Sequence, residues 1–270
     1  MPVSIRRAYA SVYGHRDFIR FMIERDTAGA LFKTVAGRAW LVLEPLAHMS
    51  IYYFLVAVVF KRADVGGVHP FVFIMVGLSH YLFLQKTMLM SCRSILGQEG
   101  LLLQVAIEPL VFSAVSYLKH LHNFAIALIL FAAIYLWKGP APGMHLIWYP
   151  VCLAALLLLA WAWSLILGVL TVFFRDLQNL AAIALRLLLY LSPVIYPLSF
   201  VPEERWALPL RALFLLNPFA SLFALLQWSL VGGDFPGTEP IVVTSVFLVA
   251  SLAAAHLLYA RLVPAITKSF

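Results

Sequence analysis

Charged side chains are scarce in this chain of 270 residues: only 11% are Asp, Glu, Lys or Arg, whereas 63% are hydrophobic. A water-soluble domain carries about 25% charged and about 45–50% apolar residues. Because so few charges cannot cover a water-facing surface, the composition excludes a soluble globular domain and a disordered chain. It predicts an all-α membrane protein that crosses the bilayer several times.

Several chemical features are also missing. The two cysteines, Cys92 and Cys152, lie in apolar surroundings and cannot supply a disulfide framework. No G-x-x-x-x-G-K-[ST] motif occurs, so the chain does not cradle nucleotide phosphates as a P-loop does. The deep parts of the apolar runs lack carboxylates, which disfavours an ion-coupled carrier. Any work that the chain performs is therefore expected to be powered by another subunit.

The apolar runs predict six membrane spans, because a helix needs about 20 apolar residues to cross the hydrocarbon core. The predicted spans are 40–60, 71–90, 116–137, 146–174, 180–197 and 241–263. The segment 212–231 is interrupted by Asn217 and Pro218, so 199–231 is predicted to form a re-entrant outer hairpin. Residues 1–36 form a cytoplasmic tail with an interface helix, and 37–270 form a single transmembrane domain.

The basic residues predict the orientation of the chain, whose net charge is +7 with 19 Lys and Arg residues. Seven of these precede the first span: Arg6, Arg7, Arg16, Arg20, Arg25, Lys33 and Arg38. Under the positive-inside rule, this bias places both termini in the cytoplasm. It favours contact with the membrane surface over binding of nucleic acid. Because charged residues occur throughout the first forty positions, the sequence also predicts that there is no cleavable signal peptide.

An amphipathic helix is predicted over 16–30. One face carries polar residues, namely Arg16, Asp17, Arg20, Glu24 and Thr27. The other face carries apolar residues, namely Phe18, Ile19, Met22 and Ile23. Such a helix lies in the headgroup plane or receives a partner protein, and the pattern leaves both possibilities open.

A polar and aromatic stripe runs along the first span, where residues recur every four positions: Trp40, Glu44, His48 and Tyr52. The fifth span repeats the pattern with Arg186 and Tyr190, and Tyr196 lies further along. Polar groups in a span should meet protein or water rather than lipid. The stripe predicts either a hydrogen-bonded seam between helices or a hydrated path, and aromatic faces with hydroxyls suit sugar rings.

Two further groups of residues give weaker evidence for a functional site. Ser79 and His256 faintly resemble the dyad of intramembrane serine proteases, but His80 stands where that family has Gly. The histidines of His120-x-His122 point in different directions on a helix and therefore make a poor metal site. A secondary carrier and an intramembrane protease remain as alternatives.

Several motifs together resemble the capsular polysaccharide export permeases, which are type-2 ABC transporter subunits. Residues 37–48, GRAWLVLEPLAH, are similar to the opening of that family's first span. Arg25 and Asp26 resemble the signature that ends its interface helix. The motifs FRDL (174–177), SPVIYP (192–197) and LNP (216–218) resemble those of the wider group that exports O-antigen, teichoic acid and capsule.

The resemblance implies that the chain is not itself an enzyme and binds no cofactor or metal. It implies a homodimer in the bacterial inner membrane that binds two copies of an ATPase subunit, which hold ATP and Mg. The substrate is expected to be a lipid-linked capsular polysaccharide, passed through a channel at the dimer interface towards periplasmic and outer-membrane proteins. An exporter of O-antigen, teichoic acid or a small molecule is the alternative.

The same resemblance assigns three sets of site residues. The channel lining comprises Trp40, Glu44, His48, Tyr52, Arg186, Tyr190 and Tyr196. The ATPase-docking surface, formed by 16–30, 93–109 and the FRDL motif, includes Arg16, Arg20, Glu24, Arg25, Asp26, Gly97, Glu99, Arg175 and Asp176. The outer gate comprises Pro193, Pro197, Asn217 and Pro218.

Overall fold

A computed structural model describes residues 5–31, 37–59, 68–104, 107–203 and 209–269. All of the elements within these ranges are helices. They are α1 (Ile5–Gly14), α2 (Arg16–Leu31), α3 (Trp40–Tyr53), α4 (Pro70–Ser91), α5 (Glu99–Gln104), α6 (Pro109–Lys138), α7 (Tyr149–Phe173), α8 (Leu177–Tyr190), α9 (Leu210–Leu215), α10 (Pro218–Val231) and α11 (Glu239–Ser269). A π-helix over Phe54–Val59 continues α3, and 3-10 turns occur at Gly37–Ala39, Leu96–Gln98, Met144–Trp148 and Leu198–Phe200.

The central helix of the bundle is α4. Its start is fixed by Pro70 at the first helical position and by His69, whose side chain accepts a hydrogen bond from the Phe71 backbone N–H at 3.3 Å. Most of its residues are buried, because it packs against α3, α6, α7, α8 and α10. A helix whose apolar residues occupy all of its faces belongs in such a position.

Four of the helices are long and apolar enough to cross a membrane: Pro70–Ser91, Pro109–Lys138, Met144–Phe173 and Glu239–Ile266. They overlap the second, third, fourth and sixth predicted spans. The shorter apolar helices Val42–Val56, Leu177–Tyr190 and Pro218–Val231 overlap the first and fifth predicted spans and the hairpin. The all-helical membrane character is thus borne out, and the count of six spans stays a prediction.

The fifth predicted span ends differently in the structure. It was expected to run over 180–197, but α8 ends at Tyr190 and the chain then turns. Pro193 has no backbone N–H to donate and disfavours a helical conformation at Ser192. Phe60, Lys61 and Arg62, at the end of the first predicted span, lie outside the described residues.

The predicted hairpin contains two helices, α9 and α10, separated at Asn217. Residues 204–208, which include Arg205, lie outside the described residues. With 14 residues, α10 is roughly 21 Å long and falls short of the ~30 Å of a hydrocarbon core. Since nearly all of its residues are buried, α10 is held by protein on most sides. The re-entry of this hairpin into the membrane remains a prediction.

The predicted amphipathic helix is present as α2. Its apolar residues Ile19 and Met22 are buried against Val111, Ala114 and Val115 of α6. The opposite side, which carries the arginines, is exposed. The apolar face of α2 is therefore covered by α6 of the same chain rather than by a separate protein.

Gly77 is needed where α4 meets the turn that follows α8. A Cβ at this position would overlap the Val194 carbonyl group. We expect Gly77→Ala to lower the stability of the folded protein by roughly 1–3 kcal/mol, the usual cost of overpacking. The midpoint of thermal unfolding in detergent, followed by tryptophan fluorescence, measures this. Gly100→Ala is the matched control, because open space surrounds Gly100; equal midpoints for the two variants would contradict the packing argument.

Candidate functional site

The polar stripe predicted for the first span lies along α3. Trp40 and Glu44 are exposed, whereas His48 and Tyr52 are half-buried. The Glu44 carboxylate pairs with the Lys86 ammonium of α4 at 2.7 Å, and the His48 imidazole donates its Nδ1–H to the Glu44 carbonyl at 2.9 Å. Lys86 therefore offsets the charge of Glu44 at this face.

Tyrosines from three elements meet where α3, α4 and α8 converge. The hydroxyls of Tyr52 on α3 and Tyr190 on α8 lie near each other. Tyr81 of α4 donates a hydrogen bond to the Leu185 carbonyl of α8. The Tyr196 hydroxyl donates to the Tyr190 carbonyl at 2.6 Å. The structure thus brings together three tyrosines of the predicted channel lining, Tyr52, Tyr190 and Tyr196.

Tyr81 was not among the predicted site residues. The second span was analysed as an apolar run, and its uniform hydropathy gives no sign of which face meets α8. A phenol in the middle of an apolar run was the available signal, because a buried Tyr hydroxyl usually finds a partner.

The outer side of α8 is uncovered in the single protomer. Arg186 and Tyr190 are exposed there, and so are the apolar residues Leu180, Ile183 and Leu187. Glu44 pairs with Lys86 of α4, and no salt bridge joins it to Arg186.

The predicted gate residues gather around the turn after α8, where Pro193 and Pro197 are buried. Asn217 donates its Nδ2–H to the Leu191 carbonyl at 2.9 Å and accepts from the Phe219 backbone N–H at 3.1 Å. The same side chain therefore caps α10, whose first residue is Pro218, and binds it to the end of α8.

The predicted docking residues lie on three segments that adjoin at one end of the bundle. Arg93 donates its Nε–H to Gln178 at 2.8 Å, which joins the end of α4 to the start of α8, next to the exposed Arg175 and Asp176. A cavity of about 190 Å³ lies between Arg93, Gln98 of the following turn and Asp26 of α2. Gly97 and Glu99, on either side of Gln98, are exposed.

Ion pairs tie the end of α2 to its surroundings. Asp26 pairs with Arg25 at 2.9 Å and, more loosely, with Lys119 of α6 at 3.7 Å. Near the start of α2, Arg20 pairs with Glu24 at 2.9 Å, and all of these charges are at least partly exposed. Exposed pairs contribute little stability, about 0–1 kcal/mol each, so they orient α2 more than they hold it.

Helix α1 was not predicted, since only the amphipathic segment that follows it was recognised. Its Tyr9 accepts a hydrogen bond from the Trp161 indole at 3.0 Å and lies 2.9 Å from His256 Nε2, to which its hydroxyl donates. Burial raises the pKa of the Tyr9 phenol. The apolar spacing of Ile5, Ala8 and Val12 was the sequence signal for this helix.

The alternative sites find no support in this geometry. Ser79 contacts the Val76 carbonyl and His80, while His256 is bound to Tyr9, so the pair needed for a serine protease is not assembled. Within the described ranges, no group of three His, Cys, Asp or Glu side chains is placed to hold a metal ion.

No protein-family profile matches. The O-antigen export system permease protein RfbA of Myxococcus xanthus is 28% identical over 254 residues, which cover 94% of this chain and 95% of that protein. A protein of the same name from Klebsiella pneumoniae is 22% identical over 78% of each chain. The polysialic acid transport protein KpsM of Escherichia coli is 23% identical over 79% of this chain and 84% of that protein.

The chain is homologous to polysaccharide export permeases. The resemblance inferred from the motifs is thereby confirmed. The similarity to the Myxococcus protein runs through nearly the whole of both chains.

Asn217 provides a test of the gate geometry. Asn217→Ala removes both the cap of α10 and the bond to α8, and each contributes about 1 kcal/mol. Asn217→Ser keeps an acceptor for the cap but loses the donor to Leu191. We expect unfolding midpoints to fall in the order wild type, Ser, Ala, with the exposed Asn179→Ala as control. A Ser variant as unstable as the Ala variant would show that the cap contributes nothing.

Proposed function

We propose that this chain is the permease subunit of an ATP-driven exporter that moves a lipid-linked polysaccharide across the bacterial inner membrane. The observation that carries the proposal is the similarity to an O-antigen export permease along 94% of the chain. The four long apolar helices and the tyrosine cluster between α3, α4 and α8 support it.

The polymer is proposed to be capsular polysaccharide or O-antigen. The segment that contains Glu44 and His48 favours capsule, as does the relative named for polysialic acid transport. The relative that covers more of the chain is named for O-antigen export. The two polymers present the same physical problem, because an unpaired hydroxyl costs a few kcal/mol on transfer into lipid.

The proposed path lies between two copies of the chain. The apolar residues Leu180, Ile183 and Leu187 leave an uncovered patch on α8, next to the exposed phenol of Tyr190. A second protomer covers this patch and leaves the tyrosines at the edge of a hydrated channel. Stacking of sugar rings on aromatic side chains at several shallow sites allows a long polymer to bind weakly and keep moving.

The charges of the proposed path favour an acidic polymer. Glu44 is offset by Lys86 at 2.7 Å, so the charge of Arg186 is not cancelled from α3. The charges of Glu44 and Arg186 sum to zero within the lining set, and Lys86 beside Glu44 leaves a local excess of one positive charge. A cationic path attracts a polymer that carries carboxylates or phosphates.

Energy is proposed to come from two copies of a separate ATPase that bind ATP and Mg, since the chain has no P-loop motif. The proposed docking surface includes Arg25 and Asp26, the turn at Leu96–Gln98 and residues 174–177. The Asp26–Lys119 ion pair connects this surface to α6, and the Arg93–Gln178 hydrogen bond connects it to α8. Closure of the ATPase dimer would thus move the channel helices as rigid elements. Periplasmic and outer-membrane proteins are expected to receive the polymer.

The first test is biochemical. We expect the purified chain to retain a P-loop ATPase encoded beside it, and lipid-linked polymer to stimulate ATP hydrolysis by the complex. Deletion of the chain should remove either capsule or O-antigen from the cell surface, which identifies the polymer. Transport that continues without ATP and collapses with the ion gradient would instead establish a secondary carrier.

The second test concerns the path. We expect Arg186→Ala and His48→Ala to lower export several-fold while the protein remains in the membrane, because each removes a polar group from the proposed lining. Export is measured as surface polymer per cell and protein level by immunoblot. Asn179→Ala, which removes an exposed polar group of α8 outside the proposed lining and the apolar patch, is the control for Arg186. Normal export in both variants would assign these residues to a structural seam.

A further inference from the structure

A groove of about 810 Å³ separates the two amino-terminal helices from α6. Its apolar wall includes Ile19 and Ile23 of α2 and Leu118 and Ile126 of α6. Arg16 and Arg20 also line it, from the polar face of α2. A cationic edge beside a long apolar wall matches an anionic amphiphile.

The positive charge of the groove is only partly offset. Arg20 pairs with Glu24 at 2.9 Å, but both side chains are largely exposed, so the pair is weak. Arg16 lies 5.6 Å from the centre of the Tyr13 ring, a contact that leaves its guanidinium N–H groups available. The two arginines and one glutamate leave an excess of one positive charge in the groove.

One wall of the groove is formed by α6, a helix long and apolar enough to cross the membrane. With 30 residues, α6 is roughly 45 Å long, more than the ~30 Å needed to cross the hydrocarbon core. Leu118, His122 and Ile126 lie in the first half of the predicted span 116–137, towards the end that meets α2. The groove is therefore a wedge between an interfacial helix and a spanning helix, which lipid can enter from the side.

Two polar groups in the groove call for a partner. The His122 side chain is exposed within the predicted span and lines the groove, where acyl chains alone would be unfavourable neighbours. The Thr27 hydroxyl also belongs to a lining residue, and its Oγ1 is buried with no hydrogen-bond partner. Thr27 lies about 10 Å beyond Arg20 along α2, so the His122 imidazole N–H is the remaining donor for a phosphate held by the two arginines.

We propose that this groove binds one anionic phospholipid of the inner leaflet. Its phosphate lies between Arg16 and Arg20, and an acyl chain follows Leu118 and Ile126 along α6. A folded partner protein does not fit this position, because one wall lies within the bilayer. Arg16 and Arg20 then serve the membrane, which leaves ATPase docking to the other end of α2. This inference rests on α6 crossing the membrane and not on the substrate proposed above.

The test is lipid binding by the full-length protein in phosphatidylcholine nanodiscs. Phosphatidylglycerol with the same acyl chains is titrated in, and bound lipid per protomer is counted by native mass spectrometry. We expect one tightly retained phosphatidylglycerol per protomer in the wild type. Arg16→Gln and Arg20→Gln should each weaken its binding about fivefold, the contribution of one basic residue near an anionic surface.

Two further variants separate the groove from general surface charge. The double variant Arg6→Gln/Arg7→Gln removes two exposed arginines of α1 that do not line the groove, and it should bind the lipid as the wild type does. Leu118→Trp keeps both arginines but fills the groove, and it should lose the lipid.

Three results would overturn the proposal. These are equal retention of phosphatidylcholine, equal weakening in the Arg6/Arg7 and Arg16/Arg20 variants, or normal binding by Leu118→Trp. Loss of ATPase binding in Arg16→Gln/Arg20→Gln with the lipid retained would assign the two arginines to the ATPase instead. Failure to find any ATPase partner would contradict the proposed function but leave the lipid result unchanged.

Discussion

The fold depends on how the chain satisfies its backbone where α8 ends. A break in a helix frees carbonyl groups, and in an apolar bundle each unpaired group is costly. Asn217 binds the Leu191 carbonyl and Gln227 binds the Val194 carbonyl at 3.1 Å, so α10 supplies both partners. The turn then fits against α4 because Gly77 has no side chain. The end of the fifth span, α10 and the central helix are thereby held as one unit.

Hydropathy predicted α4, α6, α7 and α11, because a long apolar run in a chain with so few charges has no other stable conformation than a buried or membrane-spanning helix. The end of α8 was placed seven residues too late. Apolar residues continue to Pro197, so hydropathy alone extends the predicted span past Pro193, where the helix has already ended. Helix α1 was missed because a short amphipathic helix is stabilised by its contacts, here between Tyr9, Trp161 and His256, which lie far apart in the sequence.

The sequence predicts which residues belong to the candidate site better than it predicts which of them contact one another. The four-residue spacing placed Glu44 and Tyr52 on one side of α3, and the same reasoning placed Tyr190 on α8. That Tyr52 meets Tyr190 and that Glu44 meets Lys86 depends on the packing of α3 against α4 and α8. A single sequence contains the periodicity of each helix but not the rotation of one helix relative to another.

The surroundings of α2 change along its length, and this matters for how the proposed exporter would couple its ATPase to the membrane helices. Its middle is anchored on α6 through Ile19 and Met22, whose burial makes this contact the fixed point of the helix. Arg16 lies on one side of that anchor, in the groove proposed for lipid, and Asp26 lies on the other, in the face proposed for the ATPase. A push on the Asp26 end would therefore be passed to α6 mainly through the buried contact of Ile19 and Met22, since the Asp26–Lys119 pair at 3.7 Å is too weak to carry it alone.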